Sequence, residues 1–296
     1  SDMRWMFADA DAFNADIGAW DVSHISSGLY GHSIFSGADA FHQCLPWHED
    51  FNAPPHCGLS FADNDELQAA VGAWLDNSDD AKAQYGPIEK WDTSKVTDMS
   101  WTFCVRQDYM DLYQGYDDCV LTDMTFNEDI SAWDTSKVAD MSATFTEASA
   151  FNAPIGGWDV SKVTDMSLMF YSADAFNAPI GGWDVSEVTN MVNAFAYAYA
   201  FDADIGGWDV SAVTAMEAMF YGAAAFNAPI GAWDVTAVTS MHGTLCAAAF
   251  NAPIGDWDVS KVTNMVYTFA WADAFNEAIG AWDVSKVTDM SYMFYD

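Results

Sequence analysis

Phe151-Asn-Ala-Pro-Ile155-Gly-Gly-Trp158-Asp-Val160-Ser-Lys-Val163-Thr-Asp-Met166-Ser-Leu-Met-Phe170-Tyr-Ser-Ala173 recurs almost word for word 25 residues further on. Its most constant part, Trp-Asp-Val/Thr-Ser/Thr, begins at Trp20, Trp91, Trp133, Trp158, Trp183, Trp208, Trp233, Trp257 and Trp282. From Trp133 onward the spacing is 25, 25, 25, 25, 24 and 25 residues. Self-similarity at a fixed period of this length is the mark of a repeat architecture. One such unit cannot bury its apolar residues alone, but stacked units can, each Trp, Met and Phe meeting its counterpart above and below. These columns are therefore expected to be core, with no cofactor among them.

Two periodicities alternate inside the unit. Trp158 and Val160 point one way and Asp159 the other, as a short strand requires. Met166, Phe170 and Ala173 then follow at helical intervals, with Thr164 or Asp165 placed as a helix N-cap. Phe176-Asn177-Ala178-Pro179-Ile180-Gly181 supplies the turn into the next unit. The reading is one short parallel strand plus a short helix or helical turn per repeat of about 25 residues, in a single domain over 1–296.

Two insertions interrupt the series, over 43–84 and 106–120. The first predicts a helix with Leu67, Val71, Trp74 and Leu75 on one side, capped by Asp63 or Asn64. Each insertion is associated with a cysteine pair, Cys44 with Cys57 and Cys104 with Cys119, while Cys246 stands alone. Local pairs outside the regular units point to disulfide staples and an oxidising compartment.

The pattern F-N-x-x-I-x-x-W-D-V-S-x-V-T-x-M-x-x-M-F-x-x-A, carried by Phe151 to Ala173, resembles the repeat of mycoplasma-type surface lipoproteins and BspA-like bacterial surface proteins. The resemblance covers about three quarters of the chain and fails over the two insertions. It implies a leucine-rich-repeat-like solenoid displayed outside the cell, with adhesion as its role, and it implies no catalytic residues.

Charge narrows the partners. Nine Lys and Arg against 44 Asp and Glu leave a net charge of −35. Such a surface repels nucleic acid and anionic membranes and attracts cations or basic partners. The 14 Trp, 20 Phe and 12 Tyr exclude an acidic disordered tail. No apolar run approaches the ~18 to 20 residues that span a bilayer. Ser1-Asp2-Met3-Arg4-Trp5 lacks a signal-peptide layout, as a mature or excised fragment also would.

The Asp after each Trp forms the candidate site, an acidic row for a ligand or cation: Asp21, Asp92, Asp134, Asp159, Asp184, Asp209, Asp234, Asp258 and Asp283. At a strand spacing of ~4.8 Å, neighbouring charges would repel by ~1 kcal/mol in water. Bound Ca²⁺, raised pKa values, or hydrogen bonds from the next turn and from Ser161 and its equivalents are the three ways to offset this. A second, broken acidic row (Asp98, Asp140, Asp165, Asp289) reads as helix capping. So does the Thr column (Thr97, Thr164, Thr189, Thr214, Thr239, Thr263, Thr288), for which ice binding is the alternative. Asn152, Asn177, Asn227, Asn251 and Asn276 read as a hydrogen-bonded ladder. His42, His48 and His56, beside Cys44 and Cys57, form the single cluster resembling a metal site, with a spacing that matches no familiar zinc motif.

These features point to a non-enzymatic extracellular recognition or adhesion surface for a protein or glycan. The alternative is a filament or cell-coat subunit, because Met3 to Phe7 and Met290 to Phe294 share one repeat phase and could stack end to end. Ice or mineral binding stands third.

Overall fold

The computed structural model describes residues 60–105, 119 and 125–295. The repeats lie in register upon one another around one continuous cluster of buried side chains running from Phe61 to Met293. Phe151, Phe176, Phe201, Phe226 and Phe250 form a column of near-parallel rings at 5.9–6.0 Å steps. Trp183 stacks on Trp208 at 6.4 Å, and Trp233 on Trp257 likewise. Each buried indole N–H donates to the carbonyl of the preceding unit's Ile, as Trp183 does to Ile155 at 3.2 Å and Trp208 to Ile180 at 3.2 Å. The columns expected to be core are core.

The strand-plus-helix unit does not form. Among the described residues there is no extended strand, and the two α-helices, α1 (Asn64–Asp76) and α2 (Ser78–Tyr85), both belong to the first insertion. A repeat is instead a chain of tight turns, closed by Trp158 N–H to Ile155, Val163 to Val160, Met169 to Met166, Tyr171 to Leu168 and Ala173 to Phe170. Between these, alternate amides leave the unit altogether. Met166, Leu168, Phe170 and Ser172 donate to the carbonyls of Asn190, Val192, Ala194 and Ala196 in the next repeat, at 2.8–2.9 Å.

Helical spacing misleads here because Leu168 (φ 59°) and Ser172 (φ 52°) are left-handed. Ala143 and Glu147, Asn193 and Tyr197, Tyr267 and Trp271 repeat that pair. A left-handed residue costs about 1–2 kcal/mol and breaks a helix. A helix of three turns or fewer is marginal by itself in any case. Bonds to the next repeat recover the cost at every level of the stack. The strand fails for a related reason: Trp158 and Val160 are buried and Asp159 exposed as alternation requires, but one residue per repeat pairs. Asp140, Asp165, Asn190 and Ala215 form single parallel bridges, and no continuous ladder extends from them. The 24-residue repeat at Trp233 absorbs its deletion on this side, keeping one left-handed residue, Gly243.

The predicted insertion helix is α1. Asp63 caps it by accepting the Glu66 N–H, and Leu67, Ala70, Val71 and Trp74 are buried, with Leu75 packed at the core's edge. α2 was not anticipated; Asn77 caps it by accepting the N–H groups of Asp79 and Asp80. α1 covers the face of the Trp91 repeat, where Trp74 meets Trp91 edge-on at 5.9 Å. Asn64 and Gln68 side chains donate to the Ser100 carbonyl at 2.8 and 2.9 Å. In later repeats the equivalent carbonyl receives a backbone N–H, as Ser167 does from Ala143. Two polar side chains of α1 thus do the work of a preceding repeat. The insertion residues 43–59 and, Cys119 apart, 106–118 and 120 lie outside the described set.

Close stacking also explains one glycine. A Cβ on Gly181 would be driven into the Asp204 backbone carbonyl of the next repeat, far inside van der Waals contact. Gly181→Ala should therefore destabilise by about 1–3 kcal/mol, as overpacking does. Gly182→Ala, with open space around it, should change stability by less than about 0.5 kcal/mol. Equal melting temperatures for the two variants would disprove this account of the turn.

Candidate functional site

Asp92, Asp134, Asp159, Asp184, Asp209, Asp234, Asp258 and Asp283 stand exposed, one per repeat, along a single edge. Asp21 lies outside the described residues. Each carboxylate accepts the backbone N–H two residues on, at 2.9–3.2 Å: Ser94, Ser136, Ser161, Ser186, Ser211, Thr236, Ser260 and Ser285. At Asp159 and Asp184 the Ser hydroxyl donates as well, at 2.6 and 2.7 Å. The donors come from the same repeat, where the sequence suggested the next turn. Side-chain bonds first, and these backbone bonds second, hold Asp134, Asp159, Asp209, Asp234, Asp258 and Asp283 below the usual carboxylate range.

Spacing relieves the rest of the repulsion. Phe170 and Phe195, beside the interlocked turns, are 5.4 Å apart; Phe176 and Phe201 are 6.0 Å apart; Trp183 and Trp208 are 6.4 Å apart. The stack therefore opens toward the Trp-Asp edge, which is the convex side. Carboxylates at that wider step repel by about 0.6 kcal/mol per neighbour in water. Lysines at the same edge help: Lys137 and Lys162 reach the carbonyls of Ser94 and Ser136 at 2.7 and 2.8 Å.

The Thr column caps no helix. The hydroxyls of Thr164, Thr189, Thr214, Thr263 and Thr288 donate to carbonyls of the preceding repeat at 3.0–3.3 Å. The second acidic row is likewise not a set of helix caps. Asp165 accepts the Ser167 N–H at 2.8 Å, and Asn190 in the next repeat donates its amide to Asp165 at 2.9 Å, a neutral neighbour where a second Asp would repel. The Asn column is the expected ladder. Asn177 N–H donates to Asn152 Oδ1 and Asp202 N–H to Asn177 Oδ1, both at 2.8 Å. It gains Asn127 and Asp202, which the sequence reading left out.

Cys104 and Cys119 form a disulfide, their Cα atoms 5.0 Å apart. Cys44, Cys57, His42, His48 and His56 lie outside the described residues. Cys246 is a buried thiol whose sulfur donates to the Tyr267 carbonyl at 2.7 Å, and burial pushes its pKa up to about 12. Among the described residues no three His, Cys, Asp or Glu side chains gather as a metal-binding group, and no helix is long and apolar enough to cross a membrane.

Two features on the opposite, narrow side escaped the sequence reading. Glu147, only 4% exposed, has its pKa pushed up to about 7, by burial first and the Asp174 charge second, against a Ser172 bond that lowers it. Around and beyond it runs a belt of tyrosines. Tyr171 meets Tyr197 edge-on at 5.6 Å, Tyr197 meets Tyr221 at 5.4 Å and Tyr221 meets Trp271 at 5.9 Å. These rings fill different positions of their repeats, so no column announces them. The signal in the sequence was the concentration of Tyr and Trp in the variable places between Met and the Ala-Phe-Asn turn.

A stack of units with interlocked turns, stapled at one insertion, is a repeat protein with two contrasting long faces. The chain belongs to the family described as Mycoplasma protein of unknown function, DUF285, whose matches at 1–74, 75–205, 155–248 and 228–296 span its length. No curated protein and no solved structure matches it.

Proposed function

We propose that the chain is a non-enzymatic repeat protein displayed outside the cell, whose faces recognise a protein or glycan ligand. The carrying observation is register: the same exposed side chain returns at the same place on consecutive repeats, so a ligand with spaced groups meets an array of equivalent contacts. The Cys104–Cys119 disulfide supports an oxidising compartment. The likeness to BspA-like surface proteins supports adhesion.

A structural subunit, perhaps better stated as one tightened by Ca²⁺ at the Asp edge, is the second reading. Val284, Met290 and Phe294 are 38%, 41% and 61% exposed, while Val259, Met265 and Phe269 at the same positions one repeat earlier are buried. Another repeat-shaped face, of a longer chain or of a second copy, fits there. Ice or mineral binding is the weakest reading, since the Thr hydroxyls point their protons at backbone carbonyls.

Sedimentation in EDTA and then with Ca²⁺ separates the two leading readings. Recognition expects a monomer at all concentrations, and beads carrying the chain that hold to a cultured cell layer until soluble chain competes them off. Growth of polymers with concentration or Ca²⁺ would replace it with the structural reading. Adhesion no better than that of beads bearing another acidic protein would end it.

A further inference from the structure

The core and the tyrosine belt use aromatic rings in opposite ways. Core rings lie parallel, with 5–9° between planes in the Phe column from Phe151 through Phe201, so each face is covered by the next repeat. Belt rings meet edge-on, at 81° for Tyr171 with Tyr197, 67° for Tyr197 with Tyr221 and 80° for Tyr221 with Trp271. A ring that touches its neighbour by an edge keeps its own faces clear of that neighbour. Tyr199 is 50% exposed and Trp271 42%. Open π faces in a row are the feature that binds cations.

The charge around the belt points the same way. Residues 163–260 contain eleven Asp and Glu, no Lys or Arg, and His242 as their single histidine. Lys95, Lys137, Lys162, Lys261 and Lys286 each stand four residues after a Trp, on the Asp edge. That edge lies across the core: Trp158 meets Phe145 of the interlocked turns at 5.9 Å, so outward side chains of the two segments leave on opposite sides. Asp174 flanks the belt, its carbonyl accepting the Ala200 N–H beside Tyr199. Glu217 precedes Tyr221 in the same turn and Asp273 follows Trp271. The chain supplies the belt with rings and carboxylates and no Lys or Arg within that stretch.

Spacing selects the form of the partner. Belt rings recur at 5.4–5.9 Å. In an extended polypeptide, alternate side chains are about 6.6 Å apart on one face. A peptide running along the stack would lay every second side chain close to one ring of the belt.

We infer that the face bearing Tyr197, Tyr199, Tyr221, Tyr267 and Trp271 binds an extended, arginine- or lysine-rich polypeptide segment of a partner, its cations resting on the ring faces. This rests on the recognition reading above and names its ligand. Cation–π contacts strengthen when several act together and the flanking carboxylates add long-range attraction.

The test is binding of a short fluorescent arginine-rich peptide to the full chain, beside the same peptide with citrulline in place of arginine. Tyr199→Leu with Trp271→Leu removes two open rings but keeps apolar bulk. The expected result is saturable binding of the arginine peptide, no binding of the citrulline peptide, and an affinity about tenfold lower in the double variant at an unchanged melting temperature. Three results would overturn the proposal. Wild-type protein that ignores the arginine peptide does so, as does a soluble glucan oligosaccharide binding in its place. So does binding that survives loss of both rings but is abolished by Asp209→Asn with Asp234→Asn, which would move the site to the Asp edge. In each case the competed cell adhesion described above still decides the broader recognition reading separately.

Discussion

Phe176→Ala should lower the unfolding free energy by about 3–5 kcal/mol. The ring is fully buried, 6.0 Å from Phe151 below and Phe201 above, and 3.8 Å from Phe170 in its own repeat. Alanine leaves a cavity that the column cannot close, because each neighbour is held by its own turns and by amides bonded to the next repeat. Since each repeat touches its neighbours only, the loss also weakens the coupling between the two halves of the stack. Denaturant unfolding should show a lower midpoint, and a transition that broadens or splits as the halves separate. Phe176→Leu should recover most of the loss. A cost below about 1 kcal/mol would mean that the column is not packed as described.

Glu147→Gln should stabilise the protein at pH 8 and do little at pH 4. Glu147 ordinarily titrates at 4.5 and is pushed up to about 7 in the fold. Below pH 4.5 the folded and unfolded chains both carry the proton, and the group is neutral in the balance. Between about 4.5 and 7 the unfolded chain has lost the proton while the folded one keeps it, so stability falls as pH rises, by up to roughly 3 kcal/mol. Above 7 the loss is complete. Glutamine carries no charge to bury and should abolish that slope. Melting temperatures of both proteins from pH 4 to pH 8 check it: parallel curves would mean that Glu147 is not the group responsible. The Asp edge has the opposite sign, since the lowered pKa values of Asp159 and Asp209 add stability that disappears only as pH falls below the usual carboxylate range.

Much of this was legible in the residues. The Trp, Met and Phe columns were assigned to the core because their period is that of the repeat. The insertion helix was readable from Leu67, Val71 and Trp74 at helical spacing behind Asp63. The local secondary structure was not readable. Met166, Phe170 and Ala173 carry helical spacing in a segment whose left-handed Leu168 and Ser172 no propensity would suggest, because neither residue favours that conformation. Donors for the Asp row were misplaced for a similar reason: a spacing says which residues recur, and leaves open whether a Ser two residues away or a neighbour 25 residues away supplies the bond.

By itself the sequence determined that this chain is a repeat array, which residues are buried, where the array is interrupted and how acidic it is. Those properties follow from period, polarity and count, and they hold for any close stacking of the units. The tertiary structure alone decided that amides are spent between repeats, that the stack opens toward its Asp edge, and that scattered tyrosines join into one belt facing away from the lysines. The physical reason is that a single repeat has no stable conformation to read: its backbone bonds are completed by the next repeat, so its local shape exists only once the stack does.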